Sequence, residues 1–577
     1  MKTLWSKYYC LIAAFMILER VAVAQVALQL PEISPEPQDV LWTYDEPRWL
    51  EWKRLTGFFL EDRCKSLEAG IRMLNARAGE LGLEPLPAHG PKEAGMEKGI
   101  MLALGPDAKS DAGEGLFMGI PVQGYHMLVS DSSVGIVADG LPGLFYGLMT
   151  LHALLSETGR VPCVSIRDAP DMPWRGAYIG GGNVPGGSIE EAVSRMAAMK
   201  VNFLVFETSD FYHLDNPETA DRWRRVAQRC REHFIEPVPE LQSLGWGGAV
   251  LKIEPRAVEG LTVERQPCVV RKGVLEPAAP AQPPSAPPLV NVVFTEASPL
   301  TITDSGGNVV YEAGKDYRVA AAGTEAASPA IKPPYAADAR PLCIEAMEGG
   351  RLQEGDTVLV TYDYAPPDSV TCCPSEPLYQ EVMRKAIQAT MTCMEPRFLH
   401  IGHDEPRCLN RDRRCRVRGL SNADLFVDDV ARMLSFAREA NPQVRLMMWA
   451  DAVNPFHNAP QLALTGAAEK LPREIIQCLW FYHHPDPSRL VEQSIDYFTD
   501  LGFFVTGSPW FDHQNVHHWT TALATRVVDT SRVLGLLYTS WNHPEVDPWQ
   551  ALPTAAEYSW SFDKPDFTVY RARQRKR

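Results

Sequence analysis

Eight short apolar runs between Arg175 and Trp541 constrain the fold of this chain more than any other feature. Most are followed by a stretch of helical composition, such as 189–199, 220–233 and 422–439. Buried strands of a parallel sheet have continuous apolar sequences, and eight of them alternating with helices close a (β/α)8 TIM barrel of the α/β class. The runs are 175–180, 202–207, 236–241, 398–405, 446–451, 475–480, 503–510 and 535–541.

Four tryptophans, each at the end of an apolar run, support the barrel independently. They are spaced 31, 30 and 31 residues apart, which is the length of one strand-plus-helix unit. The carboxyl ends of barrel strands form the active-site face, and aromatic rings stack on the apolar faces of sugars. The pattern favours a sugar pocket over simple capping of the barrel core. The four residues are Trp449, Trp480, Trp510 and Trp541.

The run at 398–405 ends in two adjacent carboxylates, Asp404 and Glu405. Two neighbouring acids suit the hydrolysis of a glycosidic bond, in which one group protonates the leaving oxygen and another stabilises positive charge on the sugar. Successive strand residues point to opposite faces, so both acids reach one ligand only if the backbone bends, and Pro406 favours a break. The alternative is the start of a helix, where acidic residues are also favoured.

The length of 577 residues, 45% of them hydrophobic, indicates two or three domains. Residues 1–24 have the features of a signal peptide, because Lys2 and Lys7 precede a short apolar stretch and an Ala-Val-Ala cleavage site. We therefore expect export, and no stable membrane anchor, since the apolar stretch is too short to span a bilayer. A net charge of −16 disfavours nucleic-acid binding. Residues 566–577 form a basic tail.

Composition also indicates a domain before the barrel and an insert between two of its strands. Residues 25–168 contain two strand-like segments and a helix-like segment at 141–155, which predicts a small α/β domain before a barrel at 169–565. A Pro-rich stretch at 276–290 resembles a linker. Alternating β-branched and polar residues after it predict a β-sandwich-like insert at 285–368, whose role stays open.

Cysteine and histidine residues leave open which cysteines form disulfides and whether the chain is a metal hydrolase. Eleven cysteines follow the signal peptide, an odd number, and Cys408 could pair with Cys415 after export. The chain has no CxxC motif, and the pair His513 and His517 lacks the Glu of a metalloprotease helix. A metal hydrolase that uses His400, His403, Asp404, His483 and His484 is a less favoured alternative. We predict no cofactor and no metal ligands.

Several motifs together resemble glycoside hydrolase family 20, the β-N-acetylhexosaminidases, across most of the mature chain except the insert. The catalytic signature of the family, a His, a Gly and an Asp-Glu pair in this order, is similar to His400-Ile-Gly-His-Asp404-Glu405. The family's first barrel strand, its Ile-Pro-Glu strand and its preceding domain 2 resemble, in turn, Trp174-Arg175-Gly176, Phe234-Ile-Glu-Pro-Val-Pro-Glu240, and Tyr125-His-Met-Leu-Val with Gly143-Leu-Phe-Tyr-Gly-Leu-Met-Thr150.

The resemblance implies a retaining reaction in which the 2-acetamido oxygen of the substrate acts as the nucleophile. Glu405 would be the general acid and then the base, and Asp404 would orient the acetamido group. The substrate would be a glycan with β-linked N-acetylhexosamine. The residues that would bind it are Arg175, His400, His403, Trp449, Trp480, Trp510 and Trp541. No oligomeric state is predicted.

Departures from the family pattern concern recognition of the terminal sugar. The family carries an Arg after the first strand, where this chain reads Ile179-Gly-Gly-Gly-Asn183, and a Glu after the last strand, where it reads Trp541-Asn542-His543. The Tyr expected near the seventh strand is not evident in Ser508-Pro-Trp510, and Glu207-Thr-Ser-Asp210 only partly replaces an acidic loop. Two alternatives follow: a catalytically weakened sugar-binding protein, or a glycosidase that cleaves a different glycan internally.

Overall fold

A computed structural model describes residues 33–60, 62–89, 96–105, 123–180, 184, 187–279, 288–320, 333–336, 338–482, 489–527, 531–541 and 545–562. The predicted signal peptide and basic tail lie outside these residues, as do 181–183, His483, His484, Asn542 and His543. Within the described ranges, no helix has the length and apolar character needed to cross a membrane. The chain divides into two compact units, Met1–Pro170 and Asp171–Arg577.

The described residues of the first unit form a mixed sheet and two α-helices. Its seven-stranded sheet has the order β1-β9-β6-β7-β5-β3-β4, and β2 pairs separately with β8. Helix α2 is almost wholly apolar and buried, which the predicted segment 141–155 anticipated. The strands are β1 (Asp39–Trp42), β2 (Trp49–Glu51), β3 (Phe58–Leu60), β4 (Ala88–His89), β5 (Ile100–Leu104), β6 (Tyr125–Val129), β7 (Val134–Ala138), β8 (Arg160–Pro162) and β9 (Val164–Asp168), and the helices are α1 (Glu68–Glu80) and α2 (Leu141–Leu154).

The second unit opens with three parallel strands that alternate with helices. Both long helices have a side-chain N-cap, Ser188 for α3 and Asn216 for α4, which satisfies backbone N–H groups at their first turns. The elements are β10 (Trp174–Ile179), α3 (Ile189–Ala198), β11 (Phe203–Glu207), α4 (Pro217–Glu232), β12 (Glu236–Glu240) and α5 (Gly248–Ile253).

A β-rich insert interrupts the barrel after α5, and its start differs from the predicted boundary. Strand β13 lies before the Pro-rich stretch that was interpreted as a linker, and β14 ends inside it, so the insert begins at Leu261 and not at 285. Its strands form one sheet of order β17-β16-β20-β13-β14-β19-β18, with β15 on β20, rather than two separately bonded sheets. The strands are β13 (Leu261–Arg271), β14 (Val274–Pro277), β15 (Val292–Val293), β16 (Thr301–Asp304), β17 (Val310–Tyr311), β18 (Tyr317–Val319), β19 (Ile344–Ala346) and β20 (Thr357–Tyr364).

The insert has an apolar core of its own, which includes Val263, Ile302, Val358 and Tyr362. Strand β13 pairs antiparallel with β20, so the first and last strands of the insert are neighbours. The chain therefore leaves the barrel and returns to it at nearly the same place, which allows an insert without disruption of the barrel.

Five further strands close the barrel in the order β10-β11-β12-β21-β22-β23-β24-β25. The predicted eight-stranded barrel is confirmed, and each observed strand lies within or next to its predicted run. Apolar side chains fill the strands, as the burial of every residue in β25 illustrates. The elements are α6 (Pro377–Met394), β21 (Phe398–His400), α7 (Arg413–Arg416), α8 (Asn422–Ala440), β22 (Arg445–Trp449), β23 (Ile476–Trp480), α9 (Leu490–Asp500), β24 (Val505–Ser508), α10 (His513–Val527), β25 (Val533–Tyr538) and α11 (Leu552–Trp560).

Candidate active site

A sharp turn after β21 carries the two predicted catalytic acids. The strand ends at His400, and Gly402, His403 and Glu405 then adopt left-handed φ angles of 67°, 69° and 46°. A side chain at such a φ costs about 1–2 kcal/mol, so the surrounding contacts must stabilise the turn. The predicted backbone break is present, and the alternative of a helix start is wrong, because residues 401–406 lie in no helix.

Gly245, after β12, lies directly against this turn. A Cβ atom on Gly245 would lie 1.4 Å from the carbonyl oxygen of Asp404, closer than any real contact. The absence of a side chain therefore lets the segment after β12 approach the backbone that carries the acids.

We expect Gly245→Ala to lower the free energy of unfolding by about 1–3 kcal/mol or more, because the added methyl group must displace the backbone of Asp404. Thermal melting of the purified protein measures this. Gly248→Ala is the matched control, since a Cβ at that helical position meets nothing within 4 Å. Equal melting temperatures for the two variants would contradict the close approach.

Asp404 is the more buried of the two acids, with a relative exposure of 9%. Its Oδ1 atom accepts no hydrogen bond from the described residues. Burial, together with the nearby carboxylates of Asp451 and Glu405, raises the pKa of Asp404 well above its usual value. A buried carboxyl oxygen without a protein partner is suited to receive a hydrogen bond from a ligand.

Glu405 lies at the more open side of the turn. Its Oε2 atom accepts hydrogen bonds from the indole N–H of Trp246, at 3.1 Å, and from Arg407 Nη2, at 2.7 Å. Its side chain is 19% exposed and that of Arg407 is 68% exposed. A carboxyl group held at the rim in this way can exchange protons with a bound molecule and with water.

Asp451, just after β22, connects this turn to the aromatic residues. Its Oδ2 accepts the backbone N–H of Glu405 at 3.2 Å and the side-chain amide of Asn458 at 2.8 Å. Its Oδ1 accepts the indole N–H of Trp480 at 3.2 Å. Burial raises the pKa of Asp451 to about 6. Sequence analysis missed this residue, although it stands two positions after Trp449 at the end of a predicted strand.

The predicted tryptophans gather in one aromatic group, which also contains Tyr178 and Tyr482. Ring centroids of Trp449 and Trp541 are 5.7 Å apart, and Trp480 stacks on Tyr482 at 5.0 Å. Trp541 donates its indole N–H to the Tyr482 hydroxyl at 2.5 Å, and Trp510 donates to the Trp541 carbonyl at 3.0 Å. Trp480, Trp510 and Trp541 are half-buried, whereas Trp449 is buried.

Tyr482 was also missed, because a tyrosine was expected after the seventh barrel strand and this one follows the sixth. Its hydroxyl lies between Trp541 and Thr539, and burial raises the pKa of Tyr482 above its usual value. The position of Tyr482, two residues after Trp480, could have indicated this residue in the sequence.

Two further carboxylates, Glu207 and Glu240, line the ends of β11 and β12. Tyr178 donates to Glu207 at 3.1 Å, and Trp449 donates its indole N–H to Glu240 at 3.1 Å. Burial and the neighbouring Glu207 raise the pKa of Glu240. Asp404 is near these two acids. Its charge contributes to the raised pKa values of Tyr178 and Glu240.

His400 and His403 were predicted to bind substrate, but both are fully buried. His400 Nδ1 lies 3.3 Å from Glu240, and burial lowers the pKa of His400 to about 3. His403 lies with Nδ1 2.6 Å from Ser243 Oγ and Nε2 3.2 Å from Asp429 Oδ2. Both imidazoles therefore stabilise the turn from its buried side. In the described part of the chain, neither belongs to a group of side chains that could hold a metal ion.

The prediction for Arg175 is wrong. The side chain is buried at the amino-terminal end of β10, and it donates to the carbonyls of Met172, at 3.0 Å, and Lys200, at 2.9 Å. Its guanidinium also lies over the ring of Trp560, 4.8 Å from the centroid. Since the candidate site is at the carboxyl ends of the strands, Arg175 stabilises the opposite end of the barrel.

Comparison with known proteins agrees with this architecture. Residues 30–169 match the model of glycosyl hydrolase family 20, domain 2. The chain is 28% identical over 122 residues to a beta-hexosaminidase of Akkermansia muciniphila, a match that covers 20% of this chain and 25% of that protein. The chain spans a quarter or less of the length of the curated relatives it matches.

Solved structures show a similar fold over nearly the whole chain. A chitobiase of Flavobacterium johnsoniae has a TM-score of 0.61 at 15% identity, with 95% of this chain and 72% of that chain covered. A family 20 exo-β-N-acetylglucosaminidase of Vibrio harveyi has a TM-score of 0.59 at 14% identity, with 96% and 78% covered. The predicted resemblance to glycoside hydrolase family 20 is therefore confirmed, by a domain match at residues 30–169 and by the fold of its β-N-acetylhexosaminidases.

Proposed function

We propose that this protein is an exported glycoside hydrolase that cleaves β-linked N-acetylhexosamine from glycans with retention of configuration. The observation that carries the proposal is the pair of acids on one turn: Asp404 is buried with an oxygen available to a ligand, and Glu405 is partly open to solvent. The names of the family 20 proteins described above support the same substrate class.

The two acids have different tasks in the first step. Asp404 accepts the N–H of the 2-acetamido group, which directs the acetamido oxygen at the anomeric carbon and stabilises the positive charge that develops on the oxazolinium-like intermediate. Glu405 donates a proton to the glycosidic oxygen while the bond from that oxygen to the anomeric carbon breaks. The leaving group departs as a neutral alcohol.

The second step restores the enzyme. Glu405, now a carboxylate, accepts a proton from water as the water oxygen attacks the anomeric carbon and displaces the acetamido oxygen. Two successive inversions at the anomeric carbon give net retention. The hydrogen bond from the Glu405 backbone N–H to Asp451 holds the acid in position through both steps.

The aromatic group supplies the walls of the sugar site. Trp480 and Trp541 are half-buried and bonded to Asp451 and Tyr482, so their rings are fixed before a sugar binds. Fixed aromatic faces bury C–H surface of a pyranose without a large entropy cost on binding.

The test is release of an aryl leaving group from β-N-acetylglucosaminide, β-N-acetylgalactosaminide and plain β-glucoside by the purified full-length protein. We expect turnover of one or both acetamido sugars and a much slower reaction with the glucoside, because the glucoside lacks the internal nucleophile. NMR of the first product formed checks retention. Sugar binding without turnover of aryl glycosides or of intact glycans would instead favour a sugar-binding protein.

A further inference from the structure

Four metal-ligating side chains converge where the insert joins the barrel, away from the two catalytic acids. One ligand atom from each lies within 4.8 Å of the other three. Each of the four residues has a relative exposure of 0%, so the group is closed to solvent. The residues are Glu259, Cys373, Asp412 and Cys415.

Three of the six distances between these ligand atoms are close to those of a tetrahedral zinc site. The two sulfur atoms of Cys373 and Cys415 are 3.5 Å apart, Cys415 Sγ is 3.2 Å from Glu259 Oε2, and Cys373 Sγ is 3.9 Å from Asp412 Oδ1. Zinc bonds of about 2.3 Å to sulfur and about 2.0–2.2 Å to oxygen place neighbouring ligands of a tetrahedron roughly 3.3–3.8 Å apart. The observed distances span this range.

We propose that Glu259, Cys373, Asp412 and Cys415 bind one structural zinc ion. Four protein ligands with no exposed position are typical of structural rather than catalytic zinc. Asp412 and Cys415 are three residues apart across the start of α7, the spacing that paired ligands have in zinc knuckles. The other two ligands come from the segments that lead into and out of the insert.

Neighbouring groups already orient the four side chains. Glu259 Oε1 accepts the backbone N–H groups of Arg411, at 2.7 Å, and Asp412, at 3.0 Å, which leaves Oε2 directed at Cys415. The buried Arg414 donates to Asp412 Oδ2 at 2.9 Å, and Oδ1, which accepts the backbone N–H of Cys415 at 3.3 Å as the N-cap of α7, lies on the side of Cys373. Such outer contacts are a regular feature of metal sites, because they fix the ligands before the metal binds.

Charge gives a second reason for a cation at this place. Asp412 shares the buried guanidinium of Arg414 with Glu376. Glu259 accepts hydrogen bonds only from backbone N–H groups and from a cysteine sulfur within the described part of the chain. A divalent cation would offset half of the negative charge that two carboxylates and two thiolates carry at this buried place, where Arg414 is the nearby cation and is shared with Glu376.

The ion would join the two ends of the insert to the segment that follows Glu405. Glu259 precedes β13 and Cys373 follows β20, whereas Asp412 and Cys415 lie shortly after the catalytic turn. This role does not depend on the proposed reaction, since the ion contacts neither catalytic acid.

A disulfide between Cys373 and Cys415 is the rival state. A disulfide requires a sulfur separation of about 2.05 Å, whereas the observed 3.5 Å suits a shared metal or an S–H···S hydrogen bond and excludes a disulfide in this structure. The zinc-bound state and the disulfide are therefore distinct. The two states differ in mass and in metal content, so one experiment separates them.

The test is the metal content of full-length protein purified without chelators and incubated with zinc chloride. We expect about one zinc per chain in the wild type and less than a tenth of that in a Cys373→Ser, Cys415→Ser variant. Cys478→Ser is the matched control, because Cys478 is equally buried but lies in β23. Cobalt substitution should add a thiolate charge-transfer absorption to the wild type and to the control only.

Glu259→Gln keeps the shape of the ligand and separates metal loss from misfolding. We expect it to remain folded by circular dichroism, to bind zinc more weakly, and to lose the rise in melting temperature that added zinc gives the wild type. Wild-type protein that takes up no zinc, or a peptide mass that shows the Cys373–Cys415 disulfide, would overturn the proposal.

Discussion

Glu405→Gln is expected to lower kcat/KM for aryl β-N-acetylglucosaminides by about 10²–10⁴-fold, because the amide neither donates a proton to the leaving oxygen nor activates water. The amide keeps the size of the carboxyl group, and its oxygen still accepts hydrogen bonds of the kind that Trp246 and Arg407 donate. The fold should therefore be retained. Initial rates over a range of substrate concentrations measure the effect.

The loss of rate, compared between substrates with different leaving groups, shows which step the substitution impairs. A dinitrophenyl leaving group needs little protonation, so the first step should be much less impaired for this substrate than for a simple phenyl or sugar leaving group. Glu474→Gln is the control, since Glu474 is a half-exposed acid paired with Arg438 on the barrel surface. An equal loss for all leaving groups would contradict the role of Glu405 as general acid.

Asp404→Asn is expected to lower kcat/KM for acetamido sugars by about 10²–10³-fold. The carboxylate is needed to accept the acetamido N–H and to stabilise a cationic intermediate, and an amide provides no negative charge. Burial and nearby carboxylates raise the pKa of Asp404, so we also expect the wild type to lose activity at acidic pH, where Asp404 becomes protonated. The pH profile of kcat/KM measures this loss.

Substrate comparison separates this effect from a general loss of structure. Asp404→Asn should affect acetamido sugars more than plain glucosides, whereas Asp496→Asn, a surface change at the partner of Arg526, should affect neither. Comparable wild-type turnover of plain glucosides and acetamido sugars would rule out the acetamido oxygen as nucleophile. It would also remove the reason for assigning different tasks to the two acids.

The location of the site at one end of the barrel explains which predicted residues meet there. Trp449 and Trp480 are the last residues of their strands, and Trp510 and Trp541 come shortly after theirs. The turn with Asp404 and Glu405 follows β21, so all of these residues lie at the carboxyl ends of the strands. Arg175 stands near the beginning of β10 and reaches the opposite end. The position of a residue within its strand, and not only its presence in a motif, determines whether it can contact a ligand.

The barrel strands could be recognised in the sequence because burial on both sides requires continuous apolar residues, a local property that each run shows separately. Helix α2 and the acid pair could also be recognised from local sequence. Helix α2 has an apolar composition, and the chemistry of the acid pair is evident from two adjacent residues. The first insert strands were not recognised: β13 and β14 form a local hairpin, but the strand that joins this hairpin to the rest of the sheet, β20, lies nearly 100 residues after β13.

Contacts between distant segments account for the remaining features of the site. The burial of His403 depends on Ser243 and Asp429, the turn at Asp404 depends on Gly245, and the proposed zinc ligands come from three separate segments. Local sequence patterns report the apolar or polar character of each residue. Hydrogen bonding and burial depend on which distant residues the fold brings to the same place, so their effects on charge and orientation appear only in the folded chain.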